Sequence, residues 1–371
     1  MKRAFLALVA VLVSPAVSAK PFRVAAIYPN HMVGHYNCTC GMEGACITEA
    51  AIKRAREEGL NVAFTLVNKD WNVFKTLAAA ESVAARHFDA AVGTLISQDA
   101  IVTGEVLEAA GIPFIVPTAT NPKVTAGRHL VTRISFNDYR QAALLARLAL
   151  KELGSKKIAV IRNISGPYSD FLGKQFVVEA RKLDSKVEIA EFPIIEGFTN
   201  FKGLLTKILA VNPDLLFTPI SQGDIASIYV NLVGRGSKLT LLSSDTIEGK
   251  PKFLDANAPL SDKIRFIYPK HWNGRFEGPE AARYLSLHRA HCKQYEPSMT
   301  TMAAYDAVEL LLRVLKKNPN ARGAELVRLI RETPYHGMTG PLRYGKDGDP
   351  VKPIELFELK GRDVVHWRRY E

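Results

Sequence analysis

The 371-residue sequence lacks the local signatures of catalysis. It has no GxxxxGK[ST] phosphate loop, no GxSxG nucleophile elbow, no HExxH pair and no glycine fingerprint after its first strand-like run. Mononucleotide phosphate cradling, serine hydrolysis, zincin chemistry and dinucleotide binding therefore have no motif to stand on. There is no solenoid-type repeat and no low-complexity tract. After the first apolar run, no segment approaches the roughly 20 uncharged residues of a membrane span. Acidic residues are outnumbered, with 37 Asp and Glu against 49 Lys and Arg, a formal charge of +12. The excess is spread along the chain, and only Arg368-Arg369 forms a small cluster. No basic-aromatic module accompanies it, so nucleic acid is not an expected partner.

What is present begins at the N-terminus. Lys2 and Arg3 precede the apolar run Ala4 to Val13, Ser14-Pro15 break it, and Val17-Ser18-Ala19 offers small residues. That pattern reads as a secretory signal peptide over residues 1–19, cleaved near Ala19, rather than as a buried strand. No cysteine near the cleavage point suggests lipidation. The mature chain is expected in an oxidising, periplasmic space. Its four cysteines, Cys38, Cys40, Cys46 and Cys292, then favour disulfides, with three connectivities open.

From Pro21 onward, short apolar runs alternate with amphipathic stretches. Arg23–Tyr28, Val62–Val67, Ala90–Gly93 and Pro113–Val116 read as strands, with helices over Ile47–Glu58, Phe74–Arg86 and Asp99–Ala110. The theme restarts with a helix over Tyr139–Leu153. Strands follow at Lys157–Ile161, Val187–Phe192, Leu215–Thr218, Leu239–Leu242 and Lys263–Tyr268. Between them lie helices at Asp170–Leu183, Phe201–Val211 and Ile225–Val233. Strands without a polar face are parallel strands covered on both sides. The fold class expected is α/β, with two doubly wound parallel-sheet lobes. Helices at Glu280–Tyr295 and Thr301–Lys317 then return the chain to the first lobe.

In such sheets, ligands sit at strand carboxyl ends beside helix N-termini. Those ends supply Ser97, Thr118 and Thr120 in the first lobe, and Tyr168, Ser221 and Asp245 in the second. The bland alternative to a ligand role is that Ser97 and Asp170 cap helices and that Asp245 orders its loop. The stretch Tyr28 to Cys46 reads as a long loop carrying His31, His35, Cys38, Cys40 and Cys46, all metal-ligand types. His288, His291 and Cys292 lie on one helix face. Without a recurrent metal spacing, disulfides plus surface histidines weigh more than a metal site.

At these strand ends the sequence resembles the leucine/isoleucine/valine-type periplasmic binding proteins of ABC transporters, type I fold. The resemblance rests on Ala91-Val92-Gly93 to Ser97, Val116 to Pro122, Arg133-Ile134-Ser135, Tyr168-Ser169-Asp170, Phe198 to Phe201, Ala304 to Ala307, Thr339 to Leu342 and Asp347 to Asp349. It implies a three-crossing hinge near Arg133–Asn137, Ile267–Trp272 and Leu342–Gly348. The lobes would comprise residues 20–135 with 270–341, and 136–269 with 342–371. By resemblance, Ser97 and Thr120 would bind a ligand carboxylate with amides near Thr118. Tyr168 would cover the ligand, and Asp245 would face an α-ammonium. The implied function is a secreted, non-enzymatic, monomeric solute receptor without a cofactor. It would capture an amino acid or related carboxylate or amide for an inner-membrane ABC permease. A receptor for a metal or metal complex through residues 31–46, and a ligand sensor without a transport role, are the alternatives. Two departures from the pattern stand out. The Cys/His stretch replaces a small glycine-rich turn, and Met299–Met302 lacks the aromatic expected beside an aliphatic ligand.

Overall fold

The computed structural model describes residues 20–29, 39–247 and 259–371. The signal-like segment, His31, His35 and Cys38 lie outside the described residues. The first sheet has five parallel strands in the order β2-β1-β3-β4-β5. They are β1 (Phe22–Tyr28), β2 (Val62–Asn68), β3 (Ala90–Gly93), β4 (Phe114–Val116) and β5 (Val131–Arg133). β1 shows why its sequence is apolar throughout. Val24, Ala26 and Tyr28 enter one core, while Ala25 and Ile27 enter the core on the opposite face. Side chains alternate across a strand, so burial of both faces requires an unbroken apolar run.

The core behind Ala25 and Ile27 is closed by α2 (Val73–Ala85) and α3 (Ser97–Ala109). The opposite core is closed by α1 (Cys40–Glu57) together with late-chain helices α8 (Gly278–His291), α9 (Met299–Lys317) and α10 (Gly323–Glu332). Each aliphatic side chain buried there contributes on the order of 1.5–3 kcal/mol. α1 starts at Cys40, seven residues before the expected Ile47, so the supposed loop to Cys46 is helical in its last part. Gly41 and Gly44 hid this start, because glycine disfavours helices. Here Gly44 allows close approach, since a Cβ at that position would lie 2.9 Å from the Tyr28 ring.

The second sheet has seven strands, in the order β14-β13-β10-β9-β8-β6-β7. Its parallel part is β6 (Lys157–Asn163), β7 (Glu188–Ile194), β8 (Leu215–Thr218), β9 (Thr240–Ser243) and β10 (Phe266–Lys270). α4 (Asp138–Arg147), α5 (Pro167–Leu183), α6 (Phe201–Ala210) and α7 (Gln222–Gly234) cover it. The single helix expected over Tyr139–Leu153 instead ends in a wide π turn at Leu148–Glu152. Two antiparallel strands that the sequence pattern did not reveal, β13 (Ile354–Lys360) and β14 (Asp363–Tyr370), extend the sheet. A small hairpin of β11 (Tyr335–Gly337) and β12 (Gly340–Leu342) precedes them. Among the described residues, no helix is long and apolar enough to cross a membrane.

The chain passes between the two halves three times: from β5 to α4, from β10 to α8, and from β12 to β13. Buried contacts tie these passages together. Arg133 Nε forms an ion pair with Asp349 Oδ1 at 2.8 Å. Asn137 donates to Asp349 Oδ2 at 2.9 Å, and Lys352 Nζ donates to the Ile134 carbonyl at 3.3 Å. The rings of Phe136 and His271 stack with centroids 3.8 Å apart.

Candidate ligand-binding site

The strand ends of both sheets open onto one cavity of about 400 Å³. Ser97, Thr118, Thr120, Tyr168, Ser221 and Asp245 all border it. The entry from β3 is tight. Gly93 has φ +131°, where an added Cβ would lie 2.4 Å from the Ile27 carbonyl oxygen, and buried Thr94 has φ +39°. This strained turn sets the direction of Leu95, Ile96 and Ser97.

Ser97 is the first residue of α3, not its cap. The N-cap is Ile96, whose side chain caps nothing. The Ser97 hydroxyl oxygen instead accepts the Asn121 backbone N–H at 3.3 Å. The first-turn amides of α3 can therefore receive an anion, and the helix dipole favours one. The Thr118 hydroxyl donates to the Leu95 carbonyl at 2.6 Å. Thr120 is buried, accepts the Asp138 backbone N–H at 3.0 Å, and sets its hydroxyl against the Asp138 carboxyl. Asp170 caps nothing either. The cap of α5 is Gly166, and Asp170 pairs with Arg162 and Lys174.

Opposite, the Tyr168 hydroxyl donates to Asp245 Oδ1 at 2.5 Å. Ser221 is the N-cap of α7: its oxygen accepts the Asp224 N–H at 3.3 Å, and its hydroxyl donates to Asp224 Oδ2 at 2.8 Å. Asp245 is the most enclosed of the set. Gln141 Nε2 donates to Oδ1 at 2.9 Å, His271 Nε2 stands 3.2 Å from Oδ2, and the Asp245 N–H donates to Gln141 Oε1 at 3.0 Å. Burial alone would raise its pKa, but the bonds from His271, Tyr168 and Gln141 outweigh that and hold the carboxyl below its ordinary value. Burial lowers the pKa of His271 against the opposing pull of Asp245, whose carboxylate its Nε2 faces. Asp138 is also buried and shares the same Gln141 nitrogen, at 3.0 Å from Oδ1. Burial and then the neighbouring Asp245 push its pKa well up.

Sequence reading did not single out Gln141, His271, Asp138, Trp71 or Asn121. The last crosses the cleft: its side-chain amide donates to the Pro167 carbonyl at 2.7 Å. Trp71, Phe198 and Met299 also border the cavity. The Trp71 ring carries the buried Lys69 ammonium 4.9 Å from its centroid.

The cysteine and histidine candidates have a different organisation. Cys46 is bonded to Cys292, and Cys40 is also disulfide-bonded, so neither offers a thiolate to a metal. Of the 288/291/292 group, His288 is buried, His291 is exposed, and Cys292 is in that disulfide. Among the described residues, no three His, Cys, Asp or Glu side chains cluster as metal ligands.

A family model described as periplasmic binding protein matches residues 22–363. The Leu/Ile/Val-binding protein homolog 1 of Brucella suis is 24% identical over 311 residues, covering 82% of each chain. The Leu/Ile/Val-binding protein BraC3 of Rhizobium johnstonii is 25% identical over 295 residues, 78% of each chain. Among solved structures, the leucine-binding protein LivK of Thermotoga maritima superposes with a TM-score of 0.80 at 21% identity, covering 94% of this chain and 98% of its own. A solute-binding protein of R. palustris in complex with 4-hydroxybenzoate also reaches 0.80, at 17% identity, covering 95% of this chain and 97% of its own.

Proposed function

The chain belongs to the periplasmic binding protein family, and from that premise we propose that it is the solute-binding component of an ABC importer. It captures a small ligand, an amino acid or related carboxylate or amide, between its two lobes. One observation carries this reading: residues from the strand ends of both sheets wall a single cavity, with Ser97 and Thr118 on one side and Tyr168 and Asp245 on the other. A ligand that touches both walls binds the closed arrangement better than the open one and shifts the population by that difference. A shift from 1:99 to 99:1 takes about 5.5 kcal/mol.

The roles follow from the groups present. Ser97 and the amides of α3 receive an anionic or acceptor end. Tyr168 donates its O–H hydrogen bond to Asp245, so its oxygen is left to accept from a ligand donor. The protein is exported after cleavage near Ala19, acts as a monomer, hands its ligand to an inner-membrane permease, and catalyses nothing. The relatives named above are described as binding Leu, Ile and Val, leucine, or 4-hydroxybenzoate. A thermal-shift screen of amino acids, aromatic acids, amides and metals, followed by calorimetry, tests the reading. A saturable small organic ligand supports it. Stabilisation by a metal alone rejects it.

A further inference from the structure

Behind the wall of the cavity lies a second carboxyl. Asp138, at the start of α4, is fully buried, and one side-chain amide joins it to Asp245, which borders the cavity. Gln141 Nε2 donates to Asp138 Oδ1 at 3.0 Å and to Asp245 Oδ1 at 2.9 Å, so both hydrogens of that nitrogen are spent between the two carboxyls. Asp138 is also faced by Thr120 after β4, Tyr168 on α5 and Arg133 on β5. Arg133 is the cation of this group, and Asp349 holds it. On its far side Asp245 meets His271, beyond which stands Lys352, bonded to Thr339 and Ile134. Two buried carboxyls joined by a neutral amide do not both ionise readily. The unequal supply of partners decides which one does. Asp245 has Tyr168 and His271 beside it as well as Gln141 and is held low, whereas burial and then Asp245 push Asp138 well up.

We infer that ligand capture expels a proton from Asp138: an ammonium docked on Asp245 adds the positive charge the pair lacks, and the Asp138 carboxyl then ionises. Its O–H bond breaks and the proton passes to water or buffer, so one positive charge enters the cleft and one leaves it. The inference rests on the cleft being a solute site and takes the solute to carry an ammonium, as any zwitterionic amino acid does. A carboxylate without one leaves the pair as it was. Coupling of this sign makes capture tighter as pH rises, by at most about ten-fold per pH unit for one whole proton. The protein therefore loosens its hold when its surroundings turn acidic.

The test is calorimetry on the purified chain with L-leucine, L-glutamine, L-arginine and 4-hydroxybenzoate, each in PIPES and in ACES at matched pH. The two buffers differ in heat of ionisation, so the difference between paired titrations counts protons. Release of about 0.2–1 proton per ammonium-bearing ligand is expected at some pH between about 6 and 8, with affinity rising over the same span. 4-Hydroxybenzoate, where it binds, should release none. Asp138→Asn should still bind, with an affinity near the parent's at low pH, no proton release and no pH slope. An ammonium-bearing probe that binds without releasing a proton overturns the inference and leaves the solute site standing. So does a release that persists in Asp138→Asn, or binding confined to 4-hydroxybenzoate. If that variant does not fold, the proton count of the parent decides. Binding by no probe overturns both.

Discussion

The side-chain amide of Asn121, at the end of the first sheet, donates to the carbonyl of Pro167, in the first turn of α5 on the second sheet, across 2.7 Å. Its backbone N–H is held by Ser97, and Pro167 precedes Tyr168. The residue that latches the cleft is thus bonded to one candidate ligand contact and abuts another.

Removing the latch should favour opening. Asn121→Ala deletes this cross-cleft bond, worth about 1 kcal/mol, together with the local bond that its Oδ1 accepts from the Lys123 N–H. We expect ligand affinity to fall about five-fold and the ligand-free protein to expand in small-angle scattering. An unchanged radius of gyration would refute the role.

Asp138 gives the protein a pH dependence of definite sign. An unfolded aspartate titrates near 4, and burial with Asp245 nearby raises Asp138 above that, against the opposing influence of Thr120, Arg133 and Gln141. Between the two pKa values the folded state holds more protons than the unfolded state. Stability therefore falls as pH rises through that window. Asp138→Asn abolishes the titration. Its melting temperature should gain on the parent's from about pH 5 to about pH 8. A constant difference between the two melting curves would exclude this account.

The hinge should depend on Arg133. Its guanidinium pairs with Asp349 and donates to the carbonyls of Ala119 and Asn121 at 3.2 and 3.0 Å. Arg133→Met leaves buried Asp349 without its charged partner, held only by Asn137 and Thr125, and losses of about 3–5 kcal/mol follow from such changes. Urea denaturation measures this.

The Cys46–Cys292 bond closes a separation of 246 residues and joins α1 to the end of α8. Bonds of this kind contribute about 2–4 kcal/mol. Replacing both cysteines with serine should lower the melting temperature by several degrees, and dithiothreitol should have no further effect through this bond.

The parallel strands were legible because two-sided burial leaves unbroken apolar runs such as Ala90–Gly93 and Leu215–Thr218. β13 was not, because it carries Glu355 and Glu358, buried beside His366, Arg369 and Arg265. The rule that ligands meet strand ends found six cavity-bordering residues from sequence alone. It could not find Gln141 or His271. Gln141 lies 104 positions from Asp245 in sequence, and both reach it only through the hinge geometry. The caps expected at Ser97 and Asp170 failed because both residues lie inside their helices, whose N-cap positions are Ile96 and Gly166.

The interleaved path of the chain also sets an order of assembly. α1 emerges early, but the partners that bury it, α8 to α10, follow only after the whole parallel part of the second sheet, and that sheet still awaits its last two strands. A polypeptide delivered from its amino end can complete neither half until nearly all of it has emerged. Cys46 must remain reduced, or be mispaired and then exchanged, until Cys292 arrives.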